Sequence, residues 1–370
     1  MIFKNKLKYI FLILFGFFIA FFIIEIFVRI FDKNPDIILK SIYKLDSKTG
    51  LIVYKPKKEF EYNTTCFSNK FKFNSLGWRD QEFDLEKGKN VYRILAVGDS
   101  FVASLEIPLE KTFHYLLEQK LNEHFKNKNI KFEVLSISKG GNGMYYNYRY
   151  LKDYGIKYNP DLILMFTFRN DFLDDMREMD RSNNYSIESI LGRGSFKITD
   201  GKLIDKYSRY NNALFGQLFF GIRSNLAFPH FFYRKFSSLV YKIRGAENID
   251  INYLKNNLKE IEEIEDKVFE KIKLVALENN LNIIFFNIID NSIYKEDNTG
   301  LVSIENHKEI IKKLVNKYNF KFIDLKDYFL KRYQIDRKDF ILSCDYHWNE
   351  LGHSYMADAI FENLLKEINF

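Results

Sequence analysis

Cleaving an ester with a serine takes a base for the hydroxyl proton, an acid to hold that base, and donors for the developing oxyanion. Ser100 is the candidate nucleophile. It ends the apolar β-type run Tyr92-Arg93-Ile94-Leu95-Ala96-Val97 through Gly98-Asp99-Ser100, as a buried strand does when it delivers a small side chain to a sheet edge. His347 is the candidate base, and Asp345, two residues earlier in Cys344-Asp345-Tyr346-His347-Trp348, is the candidate acid. In an extended or turning loop that spacing brings the carboxylate to the far ring nitrogen. The backbone N–H groups of Ser100 and Gly141 and the side-chain amide of Asn170 are the candidate oxyanion hole. Gly141 suits a close backbone approach, and an asparagine amide donates without titrating.

Each of these residues also has an ordinary reading. Gly98-Asp99-Ser100 could be a strand-end turn, and His347 a loop histidine. Asn170 or Asp171 could cap a helix, and Gly141 and Gly143 could serve a turn alone. His353 reads as a surface or helix-face residue. Asp99, adjacent to the serine, suits fixing the turn better than acting as triad acid. Asp345 and His347 could ligate a metal, but two ligands are not a site, and no metal or cofactor is expected. Conjunction separates the readings: three signals fall at strand exits and one just before the closing helix.

Five apolar runs, at about 92–97, 132–137, 161–168, 282–289 and 320–324, read as strands. Helical periodicity marks about 111–125, 144–157, a long stretch from about 253, the region around Ile310 to Tyr318, and about 349–368. Strict alternation implies a parallel sheet covered on both faces, whose ligands sit at the carboxyl ends of the strands. Residues 172–250 lack this rhythm and read as an insertion. Its aromatic, basic middle suits a lid, membrane or acyl-chain contact, or simple packing on the core.

The N-terminus carries Lys4, Lys6 and Lys8 before an apolar run from Tyr9 to Ile24, extended by Ile26 to Val28. With that extension it reaches the ~20 residues of a membrane-spanning helix. Glu25 and Arg29, one turn apart, are placed to pair. Bulky residues after Ala20 argue against signal cleavage, so residues 1–31 read as a signal anchor with the lysines inside and the remainder outside the cytoplasm. Residues 32–90 read as a stalk and entry region, and 91–370 as the catalytic unit.

A net charge of +7 over 370 residues is mild. No dense basic block carries interleaved aromatics, so nucleic-acid binding is disfavoured. The two cysteines, Cys66 and Cys344, form no Cys-x-x-Cys pair, which leaves zinc ribbons and redox motifs without support. Outside the cytoplasm they could form one disulfide.

The ordered set Gly98-Asp99-Ser100, Gly141, Asn170 and Asp345 with His347 resembles the SGNH/GDSL hydrolases. Asn74-Ser75-Leu76-Gly77-Trp78-Arg79-Asp80 and His347-Trp348-Asn349-x-x-Gly352-His353 look like a membrane-anchored bacterial branch of that family. The resemblance covers roughly 70–170 and 335–370. It implies a flavodoxin-like α/β/α sandwich and a serine esterase mechanism without cofactor or metal. Two positions depart from it. The family's acid stands three residues before the histidine, where this chain has Cys344. The Asp-x-His-Trp form looks like proteins of polysaccharide O-acetylation, which opens an O-acyltransferase reading beside the esterase one. Arg169 stands where the family has a small or apolar residue, and could bind an anionic substrate or pair with Asp171. The implied substrate is an acylated glycan or another cell-surface ester. A non-catalytic glycan-binding or assembly protein is the reading from another class.

Overall fold

The computed structural model describes residues 2–31, 42–183, 195–206, 221–222, 226–229, 231–232, 257–294 and 298–367. Helix α1 (Ile2–Phe31) opens the chain. Its stretch Lys8–Phe31 is long and apolar enough to cross a membrane; its 24 residues rise about 36 Å, against a hydrocarbon core of about 30 Å. Arg29 Nε donates to Glu25 at 2.8 Å, the pairing expected from their spacing. Glu25 also accepts the backbone N–H groups of Ala227 and Phe228, each at 2.8 Å.

Two antiparallel hairpins follow: β1 (Tyr43–Leu45) with β2 (Ile52–Tyr54), and β3 (Glu59–Asn63) with β4 (Ser68–Lys72). The sheet begins at β5 (Val91–Gly98), which leads through the short α2 (Ser100–Ala103) to α3 (Phe113–His124). Then come β6 (Lys131–Ser138), α4 (Met144–Asp153), β7 (Leu162–Thr167) and α5 (Asp171–Asn183). A further hairpin, β8 (Ser195–Thr199) with β9 (Lys202–Lys206), precedes α6 (Leu258–Glu278). The chain closes with β10 (Ile283–Asn287), α7 (Asn298–Lys317), β11 (Lys321–Ile323), α8 (Lys326–Asp336) and α9 (Glu350–Glu367).

Five strands form one parallel sheet in the order β11-β10-β7-β5-β6. Side chains alternate across it, so each strand feeds two cores. Leu95, Val97, Leu135, Ile163, Met165 and Phe285 face α4, α5, α6 and α7. Ile94, Ala96, Val134, Leu164, Phe166 and Phe286 face α3, α8 and α9. This is the expected three-layer α/β/α sandwich. The chain leaves β5 toward β6 and returns past it to β7, so strand order reverses beside the end of β5. Crevices for ligands form at such points.

Two expectations need correction. Residues 42–90 are not a stalk. Arg149 Nη2 donates to the Thr49 carbonyl at 3.0 Å, the Tyr150 hydroxyl to the Ile52 carbonyl, and Trp78 Nε1 to the Tyr158 hydroxyl at 2.9 Å. Ile42, Tyr54, Phe71, Phe73 and Leu105 close a small core between the hairpins and the sheet domain. Strands β1 and β2, three residues each, are too short to announce a packed layer.

The stretch from 172 is not irregular from its start. Helix α5 continues the α/β alternation, and Phe196 of β8 is buried against the Tyr145 ring, with centroids 4.4 Å apart. The helix is hidden in the sequence because some of its inward positions are acidic: Asp171, Asp175 and Glu178 are buried. Burial pushes the carboxyls of Asp171 and Asp175, and of Glu265 facing them from α6, well above the usual range. The expected lid or lipid contact in the aromatic middle falls mostly on residues outside those described.

Candidate active site

Ser100 stands where β5 turns into α2. Gly98 is required there, because a Cβ would come within 2.5 Å of Val102 Cγ2 as the helix folds back over the strand. Asp99 caps α2, accepting the Phe101 N–H at 3.0 Å. Burial, opposed chiefly by the charge of His347, raises its carboxyl to about 6. The Asp99 side chain therefore holds the turn, and the Ser100 N–H lies in the first turn of a helix, where backbone donors lack helical partners.

The structure brings Ser100, His347 and Asp345 into one line. The Ser100 hydroxyl lies 2.7 Å from His347 Nε2, and His347 Nδ1 lies 2.6 Å from Asp345 Oδ1. With the Nδ1–H tautomer, Nε2 is free to accept the serine proton. The same Oδ1 accepts the His347 backbone N–H at 3.2 Å, so a spacing of two residues folds the acid back onto its base. Phe101 walls the imidazole with ring centroids 4.9 Å apart.

The rest of the closing motif positions this loop. Trp348 is fully buried and donates from Nε1 to the Ile289 carbonyl, just beyond β10, at 2.7 Å. Asn349 Oδ1 caps α9 by accepting the N–H groups of Leu351 and Gly352 at 2.9 and 3.2 Å. Leu342 N–H donates to the His347 carbonyl at 2.9 Å, and Asn349 N–H to the Phe340 carbonyl at 3.0 Å, closing the loop into a tight hairpin. His353 is buried rather than on a surface face, and its Nδ1 accepts the Phe113 N–H at 3.3 Å.

Cys344, at the tip of the hairpin, is disulfide-bonded to Cys66, 278 residues away in the turn between β3 and β4. Cys344, three residues before His347, is thus a covalent tie to the N-terminal hairpins.

The other two strand exits flank β5. Gly140 packs close to the serine: a Cβ there would meet Ser100 Cβ at 3.5 Å. Gly141 follows with φ of +72° and open space around it, a left-handed position that favours glycine. Asn170 stands beyond β7 and donates one amide hydrogen to Asp174 Oδ2 at 3.0 Å. Arg169 pairs with Asp290, beyond β10, at 2.8 Å, and not with Asp171. That pair ties the Asn170 turn to the neighbouring strand exit.

One residue escaped the sequence reading. Glu106, in the loop after α2, is buried with Oε1 3.6 Å from His347 Nδ1. Its loop is clamped on both sides. Asn69 Nδ2 donates to the carbonyls of Leu105 and Ile107 at 2.8 and 2.7 Å, and Arg79 Nη2 donates to the Ile107 carbonyl at 2.7 Å.

Burial alone would lower the pKa of His347. The negative charges of Glu106, Asp345 and Asp99 outweigh it and raise the imidazole to about 9. Asp345, although partly desolvated, is held below the usual carboxylate range by its bonds to His347. Glu106, Asp345 and His347 also lie close enough together to be tested as a metal centre. The hydrogen bonds of His347 to Ser100 and Asp345 already occupy both ring nitrogens, which suits proton transfer.

No protein-family model matches the chain, and no curated protein sequence matches it. Among solved structures, the acetyl xylan esterase AlAXEase is similar over 74% of this chain and 99% of its own, at 16% identity and a TM-score of 0.40. The psychrotrophic esterase EstA from Pseudoalteromonas is similar over 75% and 99%, at 12% identity and a TM-score of 0.41. A member of the lipolytic G-D-S-L family from Veillonella parvula is similar over 74% and 99%, at 13% identity and a TM-score of 0.39. Similarities of this size leave the chemistry to be judged from the site itself.

Proposed function

We propose that this chain is a membrane-anchored serine esterase of the SGNH/GDSL type, removing O-acyl groups from a cell-surface glycan through an acyl-serine intermediate. The observation that carries the reading is the unbroken line from Ser100 Oγ through the His347 ring to Asp345. In the first step His347 Nε2 takes the hydroxyl proton as Oγ attacks the ester carbon. Asp345 steadies the imidazolium, and the Ser100 N–H, the Gly141 N–H and the free amide hydrogen of Asn170 meet the oxyanion. His347 then gives its proton to the leaving alcohol. A water activated by the same nitrogen frees the acid and restores the serine.

Two further observations support the location and the substrate class. The N-terminal helix is long and apolar enough to span a membrane and is preceded by lysines. The Cys66–Cys344 disulfide suits an oxidising compartment outside the cytoplasm. A second reading, O-acyl transfer to a sugar hydroxyl, uses the same residues and is favoured by the Asp-x-His-Trp arrangement.

The test uses the full chain in detergent with an acetylated polysaccharide. Acetate release that disappears in Ser100→Ala supports the esterase. Acetyl transfer to an added oligosaccharide in preference to water replaces it with the transferase. Turnover unchanged in Ser100→Ala overturns the serine mechanism, and an inactive but folded native chain points to the binding protein.

A further inference from the structure

His347 faces two carboxylates at one nitrogen. Asp345 Oδ1 is 2.6 Å from Nδ1, and Glu106 Oε1 is 3.6 Å from the same atom, reached from another part of the chain. Glu106 is buried, and its position is not left to chance: the loop carrying it is held through its main chain by Asn69 and Arg79. A buried carboxylate at this range from an imidazole is a strong electrostatic partner, because little water screens the pair.

We infer that Glu106 is a second acid of the site, a positioning residue that shares the imidazolium of His347 with Asp345 and sets the pH range over which His347 is a free base. The inference rests on reading His347 as the base that serves Ser100.

The surroundings fit this role. The charges acting most strongly on His347 are Glu106 from the loop after α2, Asp345 from its own loop and Asp99 from the end of β5. His353 of α9 also lies in its field, and burial keeps that ring neutral by pushing its pKa well down. Around Glu106, burial raises the carboxyl, and the nearby charge of Asp345 adds to that. His347 and Arg79 pull it back toward the ionised form. Two carboxylates, Glu106 and Asp345, thus face one imidazole nitrogen, with the Arg79 guanidinium acting on Glu106. Without Glu106, Asp345 alone would face the imidazolium.

The expectation is read directly on the ring, without relying on turnover. In the full chain in detergent, with histidines labelled in ¹⁵N and the His347 signal assigned by its loss in His347→Gln, the titration midpoint of His347 is compared with that of Glu106→Gln. The midpoint should fall by about one pH unit or more in Glu106→Gln, and the ascending limb of kcat/KM should move down with it. Glu106→Asp, which keeps the charge, should restore part of the shift. In the native chain, a ¹³C-labelled Glu106 carboxyl should record the His347 titration; this readout needs no variant to fold. A His347 midpoint unmoved or raised in Glu106→Gln, or a Glu106 carboxyl blind to that titration, overturns the inference. A shifted midpoint in a chain that cleaves no ester keeps the second acid while removing the proposed function.

Discussion

The two sides of the Ser100–His347 pair are built by different means. The nucleophile side is local. Gly98, Asp99 and Ser100 are consecutive, and the sheet exits beside them carry Gly140, Gly141 and Asn170 on neighbouring strands. Backbone geometry and the Asp99 cap set Ser100 there. The acid side is assembled over long distances. Asp345 sits next to a disulfide that spans 278 residues, Glu106 is held by Asn69 and Arg79 from the N-terminal region, and Trp348 anchors its loop beyond β10. The hairpins at 42–80 carry no reacting atom, yet they brace both carboxylates that face His347. The nucleophile should therefore survive damage to the hairpins, while the tuning of the base should not.

The largest expected effect lies on the local side. Ser100→Ala should lower kcat/KM by about 10⁴-fold or more while leaving thermal unfolding unchanged, if the serine is the nucleophile as proposed and does not brace the fold. Ester turnover and calorimetry on the same sample measure both. Asp345→Asn comes next, at about 10²–10⁴-fold in kcat, since an amide no longer fixes the Nδ1–H tautomer. A change below tenfold would move the acid's role to Glu106.

Breaking the long-range brace should separate stability from nucleophilicity. Cys66→Ser should cost about 2–5 kcal/mol of stability, read from denaturant unfolding. It should also lower kcat, while a fluorophosphonate probe still labels Ser100. Thiol reduction of the native chain should reproduce the kinetic part. If labelling of Ser100 fell as far as turnover, the division between the two sides would be wrong. Asn69→Ala is the subtler break. It should cost about 1–3 kcal/mol by leaving the Leu105 carbonyl unpaired and the Ile107 carbonyl to Arg79 and should loosen Glu106, moving the His347 midpoint in the direction of Glu106→Gln.

The pH dependence has opposite signs for activity and stability. His347 is raised to about 9, so the free base, and with it kcat/KM, should grow as pH rises from neutrality through about 9. The stability contributed by the charged ring is fully present below its unfolded value of about 6.5, and it is lost as pH rises through about 9. A pH–rate profile already flat at pH 7 would contradict the two-carboxylate environment.

Much of the sheet was legible because buried parallel strands are continuous apolar runs. The runs of β7 and β10, and Ile94 to Val97 of β5, announce themselves in this way. Helix α5 was not legible because buried acids stand where apolar residues would mark a face. Helix α8, Lys326–Asp336, lacked a clear stripe: Phe329 is its one buried residue. The hairpins looked like a stalk because three-residue strands such as β1 and β2 carry no period. In the site, Ser100, His347 and Asp345, which the structure brings together, could be named as candidates from the sequence because each sits in a local pattern with a chemical meaning. Glu106 could not, since a single glutamate in Leu105-Glu106-Ile107-Pro108 has no pattern at all. Arg169 illustrates the same limit: its partner is Asp290, more than a hundred residues away, and not the Asp171 nearby.

Local sequence was enough for the strand exits, a helix long and apolar enough to cross a membrane, and the residue types that can attack an ester, because these depend on contacts within a few residues. Tertiary contacts alone reveal that Glu106 joins Asp345 at His347, that Cys66 closes on Cys344, and that residues 42–90 pack on the sheet domain. Those outcomes depend on distance in space between segments far apart in the chain, and no local periodicity records such distances.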